Sequence, residues 1–171
     1  LEVSQDRLVE KRFLNEIGLP TARYAAIDDA DQLASGLAAI GGNGILKTRR
    51  FGYDGKGQHV FRNARATDAA RVFKAMGGQA LILESFVAFE REISIIAARA
   101  IDGACIAFDA AENVHSDGIL RRSTVPASSS QATQVAACDY AVSILQKLDY
   151  VGVLGVEFFD ALRCGLAFGD D

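Results

Sequence analysis

Gly52-Tyr53-Asp54-Gly55-Lys56-Gly57-Gln58, set between the apolar run Ile45-Leu46-Lys47 and the β-prone run His59-Val60-Phe61, is the stretch on which the reading of this chain turns. Glycines at positions 52, 55 and 57 let the backbone bend where a side chain would clash. Such a bend can aim several successive N–H groups at one anion. The charge agrees. Between Ile45 and Arg65, six basic residues (Lys47, Arg49, Arg50, Lys56, Arg62 and Arg65) stand against one acid, Asp54, whereas the whole chain carries a net charge of −4. A local basic loop on an acidic protein points to a bound polyphosphate rather than to nucleic acid, which is usually met by a broad basic face.

The spacing narrows the kind of loop. No Lys-Ser or Lys-Thr comes after the last glycine, so it is not a P-loop, and no helix pattern comes next to make it a G-x-G-x-x-G turn. The run after Gly57 is short and β-prone, so the loop joins strand to strand. That is the form of a flap over phosphates, as in the glycine-rich loop of kinases. An ordinary hairpin turn would use the same glycines. Lys47, at the end of the preceding strand, shifts the balance toward a nucleotide.

The rest of the chain frames this loop. At 171 residues, half of them hydrophobic and 23% charged, it can form one domain or two small lobes. No apolar run reaches membrane length. Cys105, Cys138 and Cys164 are odd in number and far apart, which fits neither a disulfide framework nor a zinc site. A reduced, cytoplasmic protein with no membrane partner is expected. The chain opens at Leu1 and enters a helical pattern almost at once, which is expected of a segment of something longer.

Ser4 is placed to cap a helix running to about Ile17, with Leu8, Val9, Phe13, Leu14 and Ile17 as its apolar stripe and Gly18 and Pro20 at its end. A strand near Arg23–Ile27 and a helix over Asp28–Ile40, stopped by Gly41-Gly42, come next. After the flap, Thr67 is expected to cap a helix to about Met76, and Ala80–Leu83 reads as a buried strand. Glu92–Ile101, Asp102-Gly103 and Ala104–Ala110 read as a hairpin, Asn113–Leu120 as irregular. Ser129–Leu148 reads as a long helix and Val151–Asp160 as a final buried strand. Helices mixed with at least one hairpin argue for an α+β fold rather than a doubly wound parallel sheet.

Four further sites could carry chemistry. Glu84-Ser85-Phe86-Val87 comes after a strand and could offer backbone groups to an adenine edge, with Phe86 or Val87 against the ring; a solvated strand end is the plainer alternative. Glu92 could accept both ribose hydroxyls, or pair on the surface with Arg91. Glu157 shares a strand face with Val153, Gly155 and Phe159 inside an apolar run, so its carboxylate calls for a partner, a proton or a metal. Near a triphosphate that metal would be Mg²⁺. His115, in a loop beside Asp117, could bind a phosphate or carry a proton, or simply be solvated. No serine or cysteine nucleophile arrangement is evident, so no catalytic residue is assigned.

These residues together resemble the ATP-grasp ligases, and within them the 5-(carboxyamino)imidazole ribonucleotide synthase family of microbial purine biosynthesis. The resemblance is carried by Gln5-Asp6-Arg7-Leu8 with Lys11, Gly18-Leu19-Pro20-Thr21-Ala22, Ile45-Leu46-Lys47-Thr48 and the flap Gly52–Gln58. It continues through Glu84 with Val87, Arg91-Glu92-Ile93-Ser94, His115 with Asp117-Gly118-Ile119-Leu120, and Tyr150-Val151-Gly152-Val153 to Glu157. It implies an ATP-grasp domain over residues 1–160, of two α+β lobes holding ATP between them: a flap-bearing lobe over about 45–87 and a second lobe over about 88–160. Lys47 would contact the phosphates, and Gly52, Tyr53, Asp54, Gly55, Lys56, Gly57 and Gln58 would form the loop over them. Glu84, Ser85, Phe86 and Val87 would receive the adenine, Glu92 the ribose, His115 would lie at the nucleotide, and Glu157 would hold Mg²⁺.

In that family ATP phosphorylates bicarbonate to carboxyphosphate. The carboxyl group then passes to 5-aminoimidazole ribonucleotide, leaving ADP and phosphate, and the enzyme is usually a homodimer. The chain departs from the pattern at both ends. A preceding nucleotide-fold domain is missing. Residues 161–171 lack the Asn-Glu pair whose glutamate is the second Mg²⁺ ligand, and the later segment that grips the ribonucleotide phosphate is missing too. The expectation is an ATP-binding portion that is inactive alone. Two other readings stay open: another ATP-grasp ligase, biotin carboxylase-like or with a different amine acceptor, and a non-catalytic nucleotide-binding module.

Overall fold

A computed structural model describes residues 2–51, 57–116, 119–161 and 165–168. The chain divides into two compact units, one made of Leu1–Phe13 and Ala22–Phe86, the other of Leu14–Thr21 and Val87–Asp171.

In the first unit, strands β1 (Tyr24–Ile27), β2 (Gly44–Thr48), β3 (Gln58–Phe61) and β4 (Leu81–Ser85) form an antiparallel sheet in the order β1-β4-β2-β3. Helices α2 (Ala30–Ala39) and α3 (Ala69–Ala75) cover one face. Leu33, Leu37, Ala69 and Val72 from the helices meet Ile27, Leu46, Phe61, Leu81 and Leu83 from the strands in one buried cluster. Strand alternation sends Leu46 and Leu83 into that cluster and leaves Ile45, Lys47, Ile82 and Glu84 on the opposite face. The Asp29 carboxylate caps α2 through the Gln32 N–H, and Gly41 and Gly42 end it at φ of +69° and +72°. Gly44 is needed for closeness: a Cβ there would lie 2.4 Å from the Glu84 carbonyl oxygen.

In the second unit β5 (Phe89–Arg99) is the central strand. It pairs antiparallel with β6 (Cys105–Ala107), β7 (Ala111–Ser116) and β9 (Gly152–Ala161), while β8 (Ile119–Thr124) pairs with β7 and β10 (Gly165–Phe168) with β9. Helix α4 (Gln131–Lys147), capped by the Ser130 hydroxyl, packs on one face, where Ala137, Ala141, Ile144 and Leu145 are buried with Ile93, Ile95, Ala97, Val156 and Phe158. Every pairing among the described strands is antiparallel, as the α+β reading requires.

Several sequence expectations are corrected. Helix α1 (Arg7–Glu16) is capped by Asp6, which accepts the N–H groups of Leu8 and Val9; Ser4 lies in a preceding 3-10 turn, Val3–Gln5. Val9 is exposed and Lys11 fully buried, so the apolar stripe is rotated from the expected one. Thr67 sits inside a 3-10 turn, Ala66–Asp68, whose cap is the Asp68 carboxylate on the Arg65 N–H. The stretch read as irregular, Asn113–Leu120, supplies the facing ends of β7 and β8, because polar residues on an open sheet face blur the apolar alternation. Strand β9 is neither final nor fully buried: β10 comes after it, and Val153 on its open face is 63% exposed.

Candidate functional site

The polar face of the first unit is built around Glu84. This residue is not a strand end opening a connector, as its sequence suggests, but lies within β4, buried, flanked by Tyr24 of β1 and Ile45 of β2. Lys47, two residues beyond Ile45, is its diagonal neighbour, with Nζ 3.6 Å from Glu84 Oε2. Lys11 arrives from α1 with Nζ 3.4 Å from the same oxygen. Two buried ammonium groups thus share one carboxylate oxygen, an arrangement far costlier to desolvate than an apolar packing of the same size. Gln58 stands opposite Lys47 on β3, so their side chains leave the sheet on the same face. Gly57 closes the base of the hairpin by accepting the Thr48 N–H at 2.9 Å. Residues 52–56, the body of the expected flap, fall outside the described residues, as do Asp117 and Gly118.

After Phe86 the chain leaves the first unit. Ser85 still donates its N–H to the Arg23 carbonyl, Phe86 is exposed with the Arg62 guanidinium 5.3 Å from its ring centre, and Val87 begins the second unit. Arg62 over Phe86 is a cation–π contact that sequence reading missed.

In the second unit the face of the sheet opposite the α4 core is polar at one end. Register places Glu92 opposite both Asn113 and Phe159, and Ser94 opposite Glu157. Directly opposed residues share a face, so Glu92, Ser94, Asn113, Glu157 and Phe159 project together. His115, two residues past Asn113, joins them: its Nδ1 lies 2.5 Å from Glu92 Oε2. His115 is therefore a strand residue rather than a loop one. Glu92 does not pair with Arg91, which points the other way, toward Asp160 and Glu112.

Beneath the pair, Asn113 donates to Ser94 Oγ at 3.0 Å and accepts from Ser123 Oγ at 2.8 Å, tying three strands together. A bulge at Glu90 brings Phe89 onto Phe159, stacked at 4.4 Å. The sequence reading assigns no role to Asn113, Ser94, Ser123 or the aromatic pair. The alternation Glu92-x-Ser94 and Asn113-x-His115 is the signal that could have found them. Glu157 is half-buried on this open face, so the apolar run around it does not enclose it. Among the described residues no group of three or more His, Cys, Asp or Glu is placed to hold a metal ion.

One carboxyl near the first polar face is perturbed. Burial pushes Asp6 upward, but the hydrogen bonds from Arg50 and from the Val9 and Leu8 N–H groups outweigh it, and the carboxyl sits below its usual range.

Two α+β units built on antiparallel sheets, one with two lysines gathered on a buried carboxylate and one with carboxylates on an open face, make up the described part of the chain. The chain belongs to the ATP-grasp family, whose domain model matches residues 12–167. It is 55% identical over 159 residues to N5-carboxyaminoimidazole ribonucleotide synthase of Brucella melitensis biotype 1, a match covering 93% of this chain and 44% of the relative. The protein of the same name from Pseudomonas aeruginosa is 42% identical, with 94% and 43% covered. Among solved structures, the N5-carboxyaminoimidazole ribonucleotide synthetase from Thermus thermophilus superimposes with a TM-score of 0.88 at 42% identity, over 99% of this chain and 45% of that one. The chain thus spans less than half the length of these relatives. Among the described residues no helix is long and apolar enough to cross a membrane.

Proposed function

We propose that this chain is the ATP-binding portion of an enzyme that carboxylates 5-aminoimidazole ribonucleotide. The observation that carries the reading is the convergence of Lys11 and Lys47 on Glu84. Buried cations are expensive to desolvate, and a polyanionic ligand is the kind of partner for which such a cluster is useful. Lys47, with Lys11 behind it, would hold nucleotide phosphates, and residues Gly52–Gln58 would cover them. Glu84 to Val87 would receive the adenine through side chain and backbone. In the second unit Glu92 would accept the ribose hydroxyls, with His115 holding its carboxylate in place.

Glu157 would hold Mg²⁺. The ion takes one or two carboxylates and completes its shell with phosphate oxygens and water, so a single carboxylate on an open sheet face fits it. When bound, the ion neutralises charge on the phosphate chain. In the proposed reaction the terminal phosphoryl group of ATP passes to a bicarbonate oxygen, giving ADP and carboxyphosphate. The amine of 5-aminoimidazole ribonucleotide then attacks the carboxyl carbon, a proton leaves the nitrogen, and phosphate departs. Lysine ammonium groups and backbone N–H groups offset the charge gathering on the transferred phosphoryl group. A cytoplasmic homodimer is the setting this reading implies.

Calorimetric titration with ATP, with and without Mg²⁺, tests the nucleotide site. Saturable binding that Lys47→Ala weakens by about tenfold or more, the worth of one charge-assisted hydrogen bond, is expected. Binding indifferent to Lys47→Ala, or none, overturns it. In the enzyme of which this chain is the ATP-binding portion, phosphate release that needs both bicarbonate and 5-aminoimidazole ribonucleotide identifies the acceptor; release with a different amine redirects the reading to another ATP-grasp ligase.

A further inference from the structure

We propose that Arg62 is a positioning residue for the base-receiving segment Glu84–Val87, and so a determinant of which nucleobase the first unit accepts. The role deepens the nucleotide reading above and rests on it. The observation that carries it is the Arg62 guanidinium, whose Cζ lies 5.3 Å from the centre of the Phe86 ring. That is within the reach of about 6 Å over which a cation is attracted to an aromatic face.

The two residues follow strands that are not neighbours. In the sheet order β1-β4-β2-β3, β2 lies between β3 and β4, and Gly44 at its start stands opposite Phe61 on one side and Ser85 on the other. Arg62 and Phe86 are each one residue beyond that row, so the guanidinium reaches across the beginning of β2 to the ring. The backbone that carries Arg62 is anchored. Asn63, at a φ of +51°, donates its N–H to Asn43 Oδ1 at 3.0 Å, and Ala64 donates its N–H to the Gly42 carbonyl at 3.0 Å. A Cβ on Gly42 would lie 2.4 Å from the Ala64 carbonyl oxygen, so these two loops pack backbone to backbone. Strand β4, by contrast, ends at Ser85, and Phe86 is 40% exposed. A fixed cation thus holds a ring at the point where the chain leaves its sheet.

A nucleobase is distinguished by hydrogen bonds at its edge, and backbone N–H and C=O groups discriminate only from fixed positions. Adenine carries an exocyclic amino donor where guanine carries a carbonyl acceptor. A segment held in one arrangement therefore rejects guanine by leaving polar groups unpaired, whereas a segment free to turn a peptide unit accommodates it. Arginine suits the task. Its guanidinium is planar and weakly hydrated and stacks on an aromatic face, which an ammonium group does less well.

The test uses this chain with Arg62→Met, which keeps the apolar stem without the cation, Arg62→Lys, which keeps the charge but stacks poorly, and Phe86→Leu, which keeps an apolar side chain without the ring. Arg71→Met, at another exposed cation of the same unit, controls for the change in net charge. Affinities for ATP, GTP and inorganic triphosphate are measured by calorimetry. Arg62→Met and Phe86→Leu are each expected to weaken ATP binding about two- to fivefold, the worth of one exposed cation–π contact, with the double variant no worse than either. GTP should lose less, so that the preference for ATP narrows. Triphosphate should be unaffected, Arg71→Met should match wild type, and Arg62→Lys should recover part of the loss.

A second readout needs no nucleotide. The chain has no tryptophan, so Phe86→Trp places a single indole at this position, and its fluorescence anisotropy should fall when Arg62→Met is added. If the wild-type chain binds no ATP, the nucleotide reading fails, while the anisotropy still decides whether Arg62 holds position 86. Triphosphate affinity that falls together with ATP affinity would make Arg62 a phosphate contact and overturn the proposal. An unchanged preference for ATP over GTP, or an anisotropy indifferent to Arg62→Met, would overturn it as well.

Discussion

Glu92 and His115 sit on adjacent strands, diagonal to one another across β5 and β7, with the carboxylate 2.5 Å from the imidazole Nδ1. One carboxylate oxygen lies against this imidazole, two residues along β7 from Asn113, which bridges Ser94 and Ser123. A carboxylate held in this way presents its remaining lone pairs in a set direction, which suits recognition of a pair of vicinal hydroxyls.

The expected consequence is loss of sugar discrimination. Glu92→Gln should weaken ATP binding by roughly tenfold, as loss of a charge-assisted hydrogen bond does, and should narrow the preference for ATP over 2′-deoxy-ATP. Competition titrations with both nucleotides check this. An undiminished preference in the variant would remove Glu92 from the ribose.

The shared carboxylate of the first unit predicts an asymmetry in stability. Lys11→Met removes one of two cations and leaves Glu84 beside Lys47. Glu84→Gln leaves both ammonium groups facing each other without the carboxylate they share. Glu84→Gln should therefore be the more damaging change, by an amount approaching the roughly 3–5 kcal/mol seen when a buried ion pair is broken from one side. Urea denaturation of the two variants decides it; equal losses would mean that the sharing is of no energetic consequence.

Acid should reach Asp6 late. Its folded carboxyl is held below the usual range despite partial burial, through Arg50 and the first N–H groups of α1. A depressed folded pKa means that the stabilisation is present above the unfolded value, near 3.9, and is lost as pH falls through the folded one. Asp6→Ala should thus be less stable than wild type by about 1 kcal/mol near neutrality, and the gap should close in strong acid. Paired denaturation curves from pH 7 down to about pH 2 would show this convergence, and a gap that stayed constant would contradict it.

Glu157 should matter to the metal and little to the fold. It lies half-buried on the open face of β9, while its neighbours Val156 and Phe158 face the α4 core. Glu157→Gln should abolish the gain in ATP affinity that Mg²⁺ provides while leaving metal-free binding near wild type. A variant with an intact Mg²⁺ effect would move the ion elsewhere.

The parts of this molecule that could be read from its sequence are those where one interaction dominates. Gly41-Gly42 and Gly18 ended helices as expected because positive φ is a local demand. The hairpin at Asp102-Gly103 was legible for the same reason. The phase of helix α1 is hidden because its buried face includes a lysine, paired with a carboxylate on β4 that is distant in sequence. The β7–β8 hairpin was missed because its alternation is between polar residues that serve a face and polar residues that serve solvent. Lys11 and Asn113 are not legible as chemistry since each acquires its meaning from a partner on another element.

The two faces of β5 carry opposite duties in strict alternation, Ile93 and Ile95 toward α4, Glu92 and Ser94 toward the open side. An insertion or deletion of one residue there would exchange the two sets at a stroke, sending a carboxylate into the hydrophobic interior and isoleucines to water. This strand can accordingly change its chemistry by replacement of single letters and has almost no freedom to change its length, so divergence among its relatives should be recorded in spelling along β5 and in length at its turns.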